Sequence, residues 1–339
     1  MKTLIVNKDG TLAIQETKTP TYGKQEALVK TIACGMCGTD VKLIHKAFKG
    51  FPEDVYPIML GHEGVGEVIE IGEDVTGLKK GDKVLLSFVD ANEDFGSGWG
   101  AFSEYAIVTD ALAYEPGTAP TVAYAQTVLP DDIDPIDAVM IVTFREVLST
   151  IRYFGIQPNE SIVVFGCGPV GTTFIKFLSL LGCKNIIAVD IMDEKLKIAA
   201  ENGATKTINS KEADLVSEIR THFPDGVDYA LDAVGLPAVV NQAMPLIKDR
   251  GSVLVYGVPE KEEITIDFSK ASYNWNVIYQ QMPEKVEEGE AHEQVLAWIR
   301  SGDLVLKDYI SDYFKFDDSV KAFAEFLDKK LLQKGIIVF

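Results

Sequence analysis

The feature that most constrains the fold of this chain is a glycine-rich segment, Gly166-Cys167-Gly168-Pro169-Val170-Gly171. It fits the G-x-G-x-x-G pattern, which is weak evidence when it stands alone. Here a buried-type strand, Ser161–Phe165, precedes the segment, and a helix with an apolar stripe, Val170–Leu181, follows it. A strand, this turn and a helix together predict the beginning of a βαβ unit that binds a dinucleotide.

Each position of the glycine-rich segment has a physical role in this interpretation. Gly166 permits the tight turn, Gly168 lets the backbone approach a pyrophosphate, and Gly171 lets the helix pack close to the strand. Pro169 suits the first helical turn because its missing N–H is not needed there, and Val170 continues that turn. The helix N-terminus then offers free N–H groups and a partial positive charge to the phosphates.

An acidic residue supports the same prediction. Asp190 ends the second predicted strand, Ile186–Val189, about 20 residues after Gly171, where the family of dinucleotide folds carries its ribose-binding carboxylate. A carboxylate there accepts hydrogen bonds from the ribose hydroxyls of NAD and repels the extra phosphate of NADP. Lys195 either reaches the same ribose or is a solvated lysine on the next helix. The segment therefore predicts NAD as the cofactor.

The order of predicted elements indicates two kinds of structure. The first ~110 residues contain short β-branched runs, such as Gly66–Ile71 and Lys83–Phe88, which predict strands. The segment Asp137–Phe154 is long, apolar and free of glycine and proline, as a helix is. Strands and helices then alternate, which predicts a parallel sheet covered by helices. We predict an α/β protein with a β-rich catalytic domain at 1–136, a Rossmann domain at 137–290, and a return to the first domain at 291–339.

The charge of the chain excludes some partners. The 339 residues include 32 Lys+Arg and 51 Asp+Glu, which gives a net charge of −19. A field of that sign repels phosphate backbones and anionic lipid, so we expect neither nucleic acid nor a membrane as a partner. Four cysteines are too few for a secreted disulfide scaffold, and no apolar stretch is long enough to predict a transmembrane helix. These observations favour a cytoplasmic location.

A second motif, Cys34-Gly35-Met36-Cys37, is a C-x-x-C pattern. It is compatible with a redox dithiol, half of a zinc site, or one functional cysteine beside a passive one. A four-cysteine zinc site is excluded because the other cysteines, Cys167 and Cys183, lie in the predicted nucleotide fold. One thiolate together with His62 and Glu63 is a donor set that holds a catalytic zinc with one open position.

Several stretches taken together resemble one family. The upstream stretches are GMCGTD at 35–40, GHE at 61–63 and GLKKGD at 77–82, and the downstream ones are VDYALDAVG at 227–235 and RGSVLVYG at 250–257. They resemble the zinc-dependent medium-chain alcohol and polyol dehydrogenases, which include sorbitol, threonine and secondary-alcohol dehydrogenases. The likeness covers nearly the whole chain in the same order. It implies a GroES-like catalytic domain built from both ends of the chain, an inserted Rossmann domain, and an active site in the cleft between them.

The resemblance also implies roles for individual residues. Cys37 and His62 match zinc ligands, Glu63 matches a position beside the metal that ligates it in some members, and Thr39 matches the hydroxyl that passes the alcohol proton onward. In such enzymes zinc acts as a Lewis acid and the nicotinamide accepts the hydride. We therefore expect one catalytic zinc, NAD, a small alcohol or ketone substrate, and a homodimer or homotetramer.

Three features depart from the better-known members of this family. The segment Asp90–Trp99 stands where those members carry a lobe with four cysteines, so we expect no structural zinc. Val142 falls at the position of the third metal ligand. Glu146 follows one helical turn later on the same face, and it either ligates the metal, directly or through water, or forms an unrelated ion pair. Lys42 stands where members often place a proton-relay histidine.

Two other functions remain open at this point. One is a zinc-free, NAD(P)H-dependent reductase of the same superfamily, and the other is a dinucleotide-binding protein without catalysis. The presence of Cys37 and His62 together with Asp190 favours the zinc-assisted, NAD-dependent oxidation of a polyol or secondary alcohol to a ketone, and its reverse.

Overall fold

The computed structural model describes residues 1–259 and 263–339, and these form two compact units. Unit 1 consists of Met1–Arg145 together with Glu284–Phe339, and unit 2 is the continuous segment Glu146–Pro283. Unit 1 is thus built from both ends of the sequence. The domain limits predicted above, after 136 and after 290, stay predictions.

Strands account for most of unit 1 and for the centre of unit 2. In chain order the strands of the described residues are β1 (Lys2–Val6), β2 (Leu12–Glu16), β3 (Glu26–Gly35), β4 (Ile58–Met59), β5 (Gly64–Ile71), β6 (Lys83–Leu85), β7 (Gly96–Ser97), β8 (Tyr105–Thr109), β9 (Ser161–Phe165), β10 (Asn185–Asp190), β11 (Lys206–Asn209), β12 (Val227–Asp232), β13 (Ile247–Val255), β14 (Asn276–Tyr279), β15 (Ile310–Lys315) and β16 (Lys334–Val338).

A helix follows most strands of unit 2, whereas most consecutive strands of unit 1 are joined without an α-helix. In chain order the α-helices of the described residues are α1 (Gly38–Ile44), α2 (Val139–Phe154), α3 (Pro169–Leu180), α4 (Asp193–Glu201), α5 (Leu215–His222), α6 (Pro237–Ala243), α7 (Lys285–Glu290), α8 (His292–Ser301) and α9 (Ser319–Leu327). Within 1–259 and 263–339, none of them combines the length and the apolar character that a membrane crossing requires.

Unit 2 contains a six-stranded sheet in the order β11-β10-β9-β12-β13-β14. All neighbouring strands in it pair in parallel. The central strand β9 is buried along its whole length, which explains its continuous apolar sequence, SIVVF. The first turn of the βαβ unit lies at the end of this central strand. The predicted parallel sheet, and with it the α/β class, is confirmed.

Unit 1 contains two sheets whose pairing is mainly antiparallel. One has the order β15-β16-β3-β5-β6, with β8 also paired to β3, and the other has the order β2-β1-β4-β7. The strand predicted over Lys83–Phe88 is shorter in the structure and ends at Leu85. The next residue, Leu86, has a φ of 62°, a left-handed conformation that a regular strand does not continue.

Candidate metal and dinucleotide sites

The geometry of one sheet brings distant residues of unit 1 together. Strand β3 pairs antiparallel with both β5 and β16, so the end of β3 lies beside the starts of its two neighbours. Cys37 follows the end of β3, Glu63 precedes the start of β5, and Lys334 begins β16. The sequence motifs at 34–40 and 61–64 therefore meet at one edge of the sheet.

The residues predicted as metal donors form a cluster at this edge. One donor atom from each of Cys37, His62 and Glu63 lies within 4.8 Å of the other two. The Oε2 atom of Glu63 is buried and has no hydrogen-bond partner among the described residues. A thiolate, an imidazole and a carboxylate are donors that zinc accepts, and a buried carboxylate oxygen without a hydrogen-bond partner is suited to bind a cation. The residues present fit a bound zinc ion.

The other oxygen of Glu63 is fixed by two partners. Lys334 Nζ lies 2.7 Å from Glu63 Oε1, and both side chains are only 2% exposed. Thr143 Oγ1, on α2, donates to the same oxygen at 3.2 Å. Gly35 packs directly against the carboxylate, because a Cβ at that position would lie 2.1 Å from Glu63 Oε2. These contacts leave Oε2 as the oxygen available to a cation.

Asp40 organises the other two donors. Asp40 lies three residues after Cys37, in the first turn of α1. Its Oδ2 accepts a hydrogen bond of 2.9 Å from the Cys37 backbone N–H. Its Oδ1 lies 3.5 Å from His62 Nδ1. Burial lowers the pKa of the His62 imidazole, but the charges of Asp40 and Cys37 outweigh burial and hold that pKa well above the usual histidine value. A carboxylate on one ring nitrogen is a common way to orient a metal-binding histidine.

The remaining cysteines are separate from the cluster. Cys34, Cys167 and Cys183 are free and buried, whereas Cys37 is half-buried. Burial, reinforced by the charge of Asp40, raises the pKa of the Cys34 thiol, and burial together with Asp190 raises the pKa of Cys167 to about 12. Of the two thiols in the C-x-x-C pattern, Cys37 is the one that joins His62 and Glu63.

Aromatic side chains cover one side of His62. The ring of Trp99 has its centre 5.4 Å from the centre of the imidazole ring. Phe51 and Phe48 pack on Trp99 at 5.6 Å and 6.0 Å between ring centres. Trp99 holds a φ of 68°, and a bulky residue in this region carries backbone strain. This apolar wall limits the access of water to that side of the imidazole.

Thr39 and Lys42 lie on the same short helix as Asp40. Thr39 occupies the first turn of α1, immediately before Asp40, and is half-buried. Lys42 is also half-buried and lies in the last turn of α1. Helix α1 therefore places Thr39, the predicted proton-transfer residue, next to Asp40, which contacts both Cys37 and His62.

The glycine-rich turn of unit 2 has the geometry that its sequence predicts. Gly166 has a φ of +88°, a conformation that favours glycine. A Cβ on Gly171 would lie 1.8 Å from the Gly166 carbonyl oxygen, so the helix and the turn make a close approach there. A Cβ on Gly168 would meet no protein atom within 4 Å. Gly168 thus faces open space beside the N-terminus of α3, where Pro169 takes the first helical position. A pyrophosphate fits this arrangement.

Asp190 is held at the end of β10 by backbone donors. Its Oδ2 accepts a hydrogen bond of 2.8 Å from the N–H of Cys167, which ties the carboxylate to the glycine-rich turn. Its Oδ1 accepts from the N–H groups of Ile191 and Met192, at 2.7 Å and 3.0 Å. Lys195 is half-buried on α4, the helix that follows. The carboxylate is therefore fixed next to the predicted phosphate site.

Glu146, the further metal ligand predicted from the sequence, contacts a tyrosine of unit 2. Glu146, on α2, accepts a hydrogen bond of 2.7 Å on Oε1 from the hydroxyl of Tyr256. The three-residue donor cluster of unit 1 does not include Glu146. A ligand role for Glu146 therefore stays a prediction.

Sequence reasoning missed three partners of the donor cluster. Asp40 was visible only as part of a family motif, although its spacing from Cys37 is that of a helix cap. Lys334 stands in an otherwise apolar strand, KGIIV, which is a signal of a buried charge. Thr143 gave no signal, because a threonine on an apolar helix face is common.

Two family models match the chain. The model described as "Alcohol dehydrogenase GroES-like domain" matches residues 23–116, and the one described as "Zinc-binding dehydrogenase" matches residues 169–281. The first lies in unit 1 and the second in unit 2. The predicted combination of a GroES-like and a Rossmann domain is confirmed.

Curated relatives decide the family. The (R,R)-butanediol dehydrogenase of Bacillus subtilis (strain 168) is 30% identical over 274 residues, which cover 73% of this chain and 74% of the relative. The chain belongs to the zinc-type medium-chain alcohol and polyol dehydrogenases. The sorbitol dehydrogenase of the same organism is 28% identical over 277 residues, covering 79% of this chain and 78% of that protein.

A solved structure shows the same fold over the full length. The alcohol dehydrogenase zinc-binding domain protein from Burkholderia ambifaria superimposes with a TM-score of 0.83 at 23% identity, covering 100% of this chain and 98% of that one. Membership of this dehydrogenase family supports an oxidoreductase that acts on alcohols.

Proposed function

We propose that this medium-chain dehydrogenase is zinc-assisted and NAD-linked, and that it oxidises a polyol or secondary alcohol to a ketone and catalyses the reverse reaction. The observation that carries the proposal is the cluster of Cys37, His62 and Glu63, whose donor atoms lie within 4.8 Å of one another. The relatives named for butanediol and sorbitol support this substrate class, because both compounds carry secondary hydroxyl groups.

The metal proposal assigns one zinc ion to unit 1. Cys37 would supply a thiolate and His62 a neutral imidazole, and Glu63 would offer Oε2, which has no other partner among the described residues. Glu146 is kept as a predicted fourth donor. The absence of a second cysteine cluster in the sequence supports a single, catalytic zinc.

Bound zinc and NAD would supply a Lewis acid that stabilises an alkoxide and an acceptor for the hydride. The residues of the chain have the remaining tasks. Asp40 Oδ1, which lies 3.5 Å from His62 Nδ1, would orient the imidazole, and Asp40 Oδ2 accepts the backbone N–H of Cys37. The hydroxyl of Thr39 would receive the proton of the substrate alcohol and pass it on. Trp99 limits the access of water on one side of His62.

The coenzyme proposal rests on the end of β10 and on the glycine-rich turn. Gly168 offers open space for a pyrophosphate, and the N-terminus of α3 faces the same place. The carboxylate of Asp190 would accept the ribose hydroxyls of NAD and oppose the additional phosphate of NADP. Lys195 is the predicted second contact to that ribose. The predicted homodimer or homotetramer and the cytoplasmic location stay predictions.

The test combines metal content with turnover. Protein purified without chelator is expected to hold about one zinc per chain. It should reduce NAD with members of a panel of polyols, 2,3-butanediol, sugar alcohol phosphates and amino alcohols. Cys37→Ala should lose the metal and at least about a hundredfold in kcat/KM, because even residues behind the ligands often contribute that much. Cys183→Ala, a buried thiol in unit 2, is the matched control and should keep both.

Three results would contradict the proposal. Zinc below about half an equivalent together with a preference for NADPH would indicate the zinc-free reductase. Dinucleotide binding without turnover on the whole panel would indicate a non-catalytic protein. Full turnover in Cys37→Ala would separate the activity from the donor cluster.

A further inference from the structure

A partly buried hydrogen bond in unit 2 joins Tyr256, which has no role in the mechanism above, to Glu146, which lies outside the three-residue donor cluster. The hydroxyl of Tyr256 donates to Glu146 Oε1 at 2.7 Å, and Tyr256 is only 8% exposed. The ring of Tyr256 packs edge-on against Phe174, with ring centres 5.2 Å apart. Phe174 belongs to α3, the helix whose N-terminus faces the predicted pyrophosphate site. The pair is therefore attached to the same helix as the dinucleotide turn.

Tyr256 lies at the edge of the sheet where a dinucleotide is expected to bind. It directly follows β13, whose last residue Val255 pairs with Asp232 at the end of β12. Asp232 in turn pairs with Phe165, the residue before the glycine-rich turn. Because all these strands are parallel, their carboxyl ends share one edge of the sheet. Dinucleotides bind at this edge in open α/β sheets.

The order of the strands indicates which half of the cofactor lies near the pair. Asp190, the predicted partner of the adenosine ribose, ends β10 on one side of β9. The pyrophosphate site follows β9 itself. Tyr256 lies beyond β12 on the opposite side of β9. A dinucleotide that crosses the end of β9 from Asp190 therefore brings its nicotinamide half toward the ends of β12 and β13.

Oxidised and reduced cofactor differ by one charge in this half. The nicotinamide ring of NAD⁺ is positive and that of NADH is neutral, whereas the phosphates and riboses are the same. A carboxylate beside the ring attracts the oxidised form and leaves the reduced form nearly unaffected. The hydroxyl of Tyr256 holds Oε1 of Glu146, and the side chain of Glu146 is half-buried rather than enclosed.

We propose that Glu146, held in place by Tyr256, is a cofactor-binding residue that favours NAD⁺ over NADH. The inference rests on the proposed use of NAD, and it gives Glu146 a partner other than the metal. It also assigns Tyr256 as the positioning residue of this carboxylate. A chain with this pair would bind NAD⁺ more tightly, relative to NADH, than one with a neutral side chain at position 146.

The experiment measures the two dissociation constants separately on the full chain as purified, without substrate. Calorimetry gives the Kd of NAD⁺, and nicotinamide fluorescence gives the Kd of NADH. In Glu146→Gln the ratio of Kd for NAD⁺ to Kd for NADH should rise about tenfold, the lower end of what one opposite charge contributes at a partly exposed site. Tyr256→Phe keeps the charge of Glu146 but removes the hydrogen bond that holds its carboxylate. The ratio should therefore rise less than in Glu146→Gln. Glu201→Gln, an exposed acid at the end of α4, is the control for net charge and should leave the ratio unchanged.

The outcomes separate this inference from the proposed function. If the wild-type chain binds neither dinucleotide, the proposed function and this inference are both overturned. If it binds both and the ratio in Glu146→Gln stays within about twofold of wild type, this inference alone is overturned. Loss of zinc from Glu146→Gln would make the residue a metal ligand and overturn it as well, as would an equal shift in Glu201→Gln. Should Glu146→Gln fail to fold, the ratio in Tyr256→Phe decides, and an unchanged value there overturns the inference.

Discussion

Removal of the ion pair between Lys334 and Glu63 is the sharpest test of the architecture around the proposed metal site. Replacing Lys334 with methionine keeps most of the volume of the side chain and removes its charge. Glu63 then keeps the hydrogen bond from Thr143 but loses its counter-charge in the protein interior. We expect the apo protein to lose a large part of its stability.

The magnitude follows from burial. Lys334 Nζ and Glu63 Oε1 are 2.7 Å apart and both side chains are 2% exposed, so removing one partner leaves an uncompensated buried charge. Such changes cost about 3–5 kcal/mol of the free energy of unfolding. A second pair gives the comparison: Lys18 Nζ and Glu93 Oε2 are 2.8 Å apart, with side chains 72% and 83% exposed. Lys18→Met should cause no measurable change, because water and salt screen exposed pairs.

The assay follows the urea unfolding of unit 1 by tryptophan fluorescence. The chain has 3 tryptophans, of which Trp99 and Trp298 lie in unit 1 and Trp275 in unit 2. A Trp275→Phe background restricts the emission to unit 1. Excess EDTA removes the contribution of any bound metal, so the wild type, Lys18→Met and Lys334→Met are compared in the apo state.

The reasoning is refuted if the free energy of unfolding of Lys334→Met lies within about 1 kcal/mol of the wild-type value in this assay. A buried, unpaired carboxylate should destabilise the protein by more than that. A second variant separates charge from packing. Adding Glu63→Gln to Lys334→Met leaves neither charge and should recover part of the lost stability. A double variant as unstable as the single one would assign the loss to packing.

Three further predictions concern residues outside the donor cluster. Burial and the charges of Arg145 and Arg300 lower the pKa of His292 to about 4, so its stabilising contribution is complete above the ordinary histidine pKa and is lost as the pH falls toward 4. Between pH 7 and 4.5, wild type should lose about 2 kcal/mol more than His292→Gln in denaturant titrations, and parallel pH curves would contradict this. Gly168→Ala should keep the fold but weaken NAD binding at least about tenfold, because a methyl group there occupies the pyrophosphate space. Gly171→Ala should destabilise unit 2 itself by about 1–3 kcal/mol; equal thermal stability of these two glycine variants would refute the geometry.

The nucleotide fold was predictable because local rules and tertiary demands agree there. The glycine-rich turn is fixed by the backbone conformation at Gly166 and by the close approach at Gly171. Both positions require glycine, so the sequence alone shows them. Strand β9 has the bounds that its apolar run predicts. Helices α5 and α6 were not predicted, because each is short and its few apolar residues give no clear period.

The donor cluster was only partly predictable for a different reason. Cys37, His62 and Glu63 stand in short motifs, so their residue types and local spacing are visible in the sequence. Asp40 is local to Cys37, but sheet pairing between remote strands brings Lys334 to Glu63 and the packing of α2 brings Thr143, and no local pattern encodes either contact. His292 shows the same limit: its polar neighbours favour the surface, yet the packing of unit 1 buries it at 6% exposure.

The discontinuity of unit 1 affects how the protein is made. Glu63 and Lys334 are 271 residues apart in the sequence, and the whole of unit 2 is translated between them. Unit 2 is continuous and can fold during synthesis, as domains generally do, whereas the carboxylate at position 63 waits for its counter-charge until β16 has left the ribosome. We therefore expect a nascent chain to form the proposed dinucleotide site before the donor cluster, which is complete only after β16 has been translated.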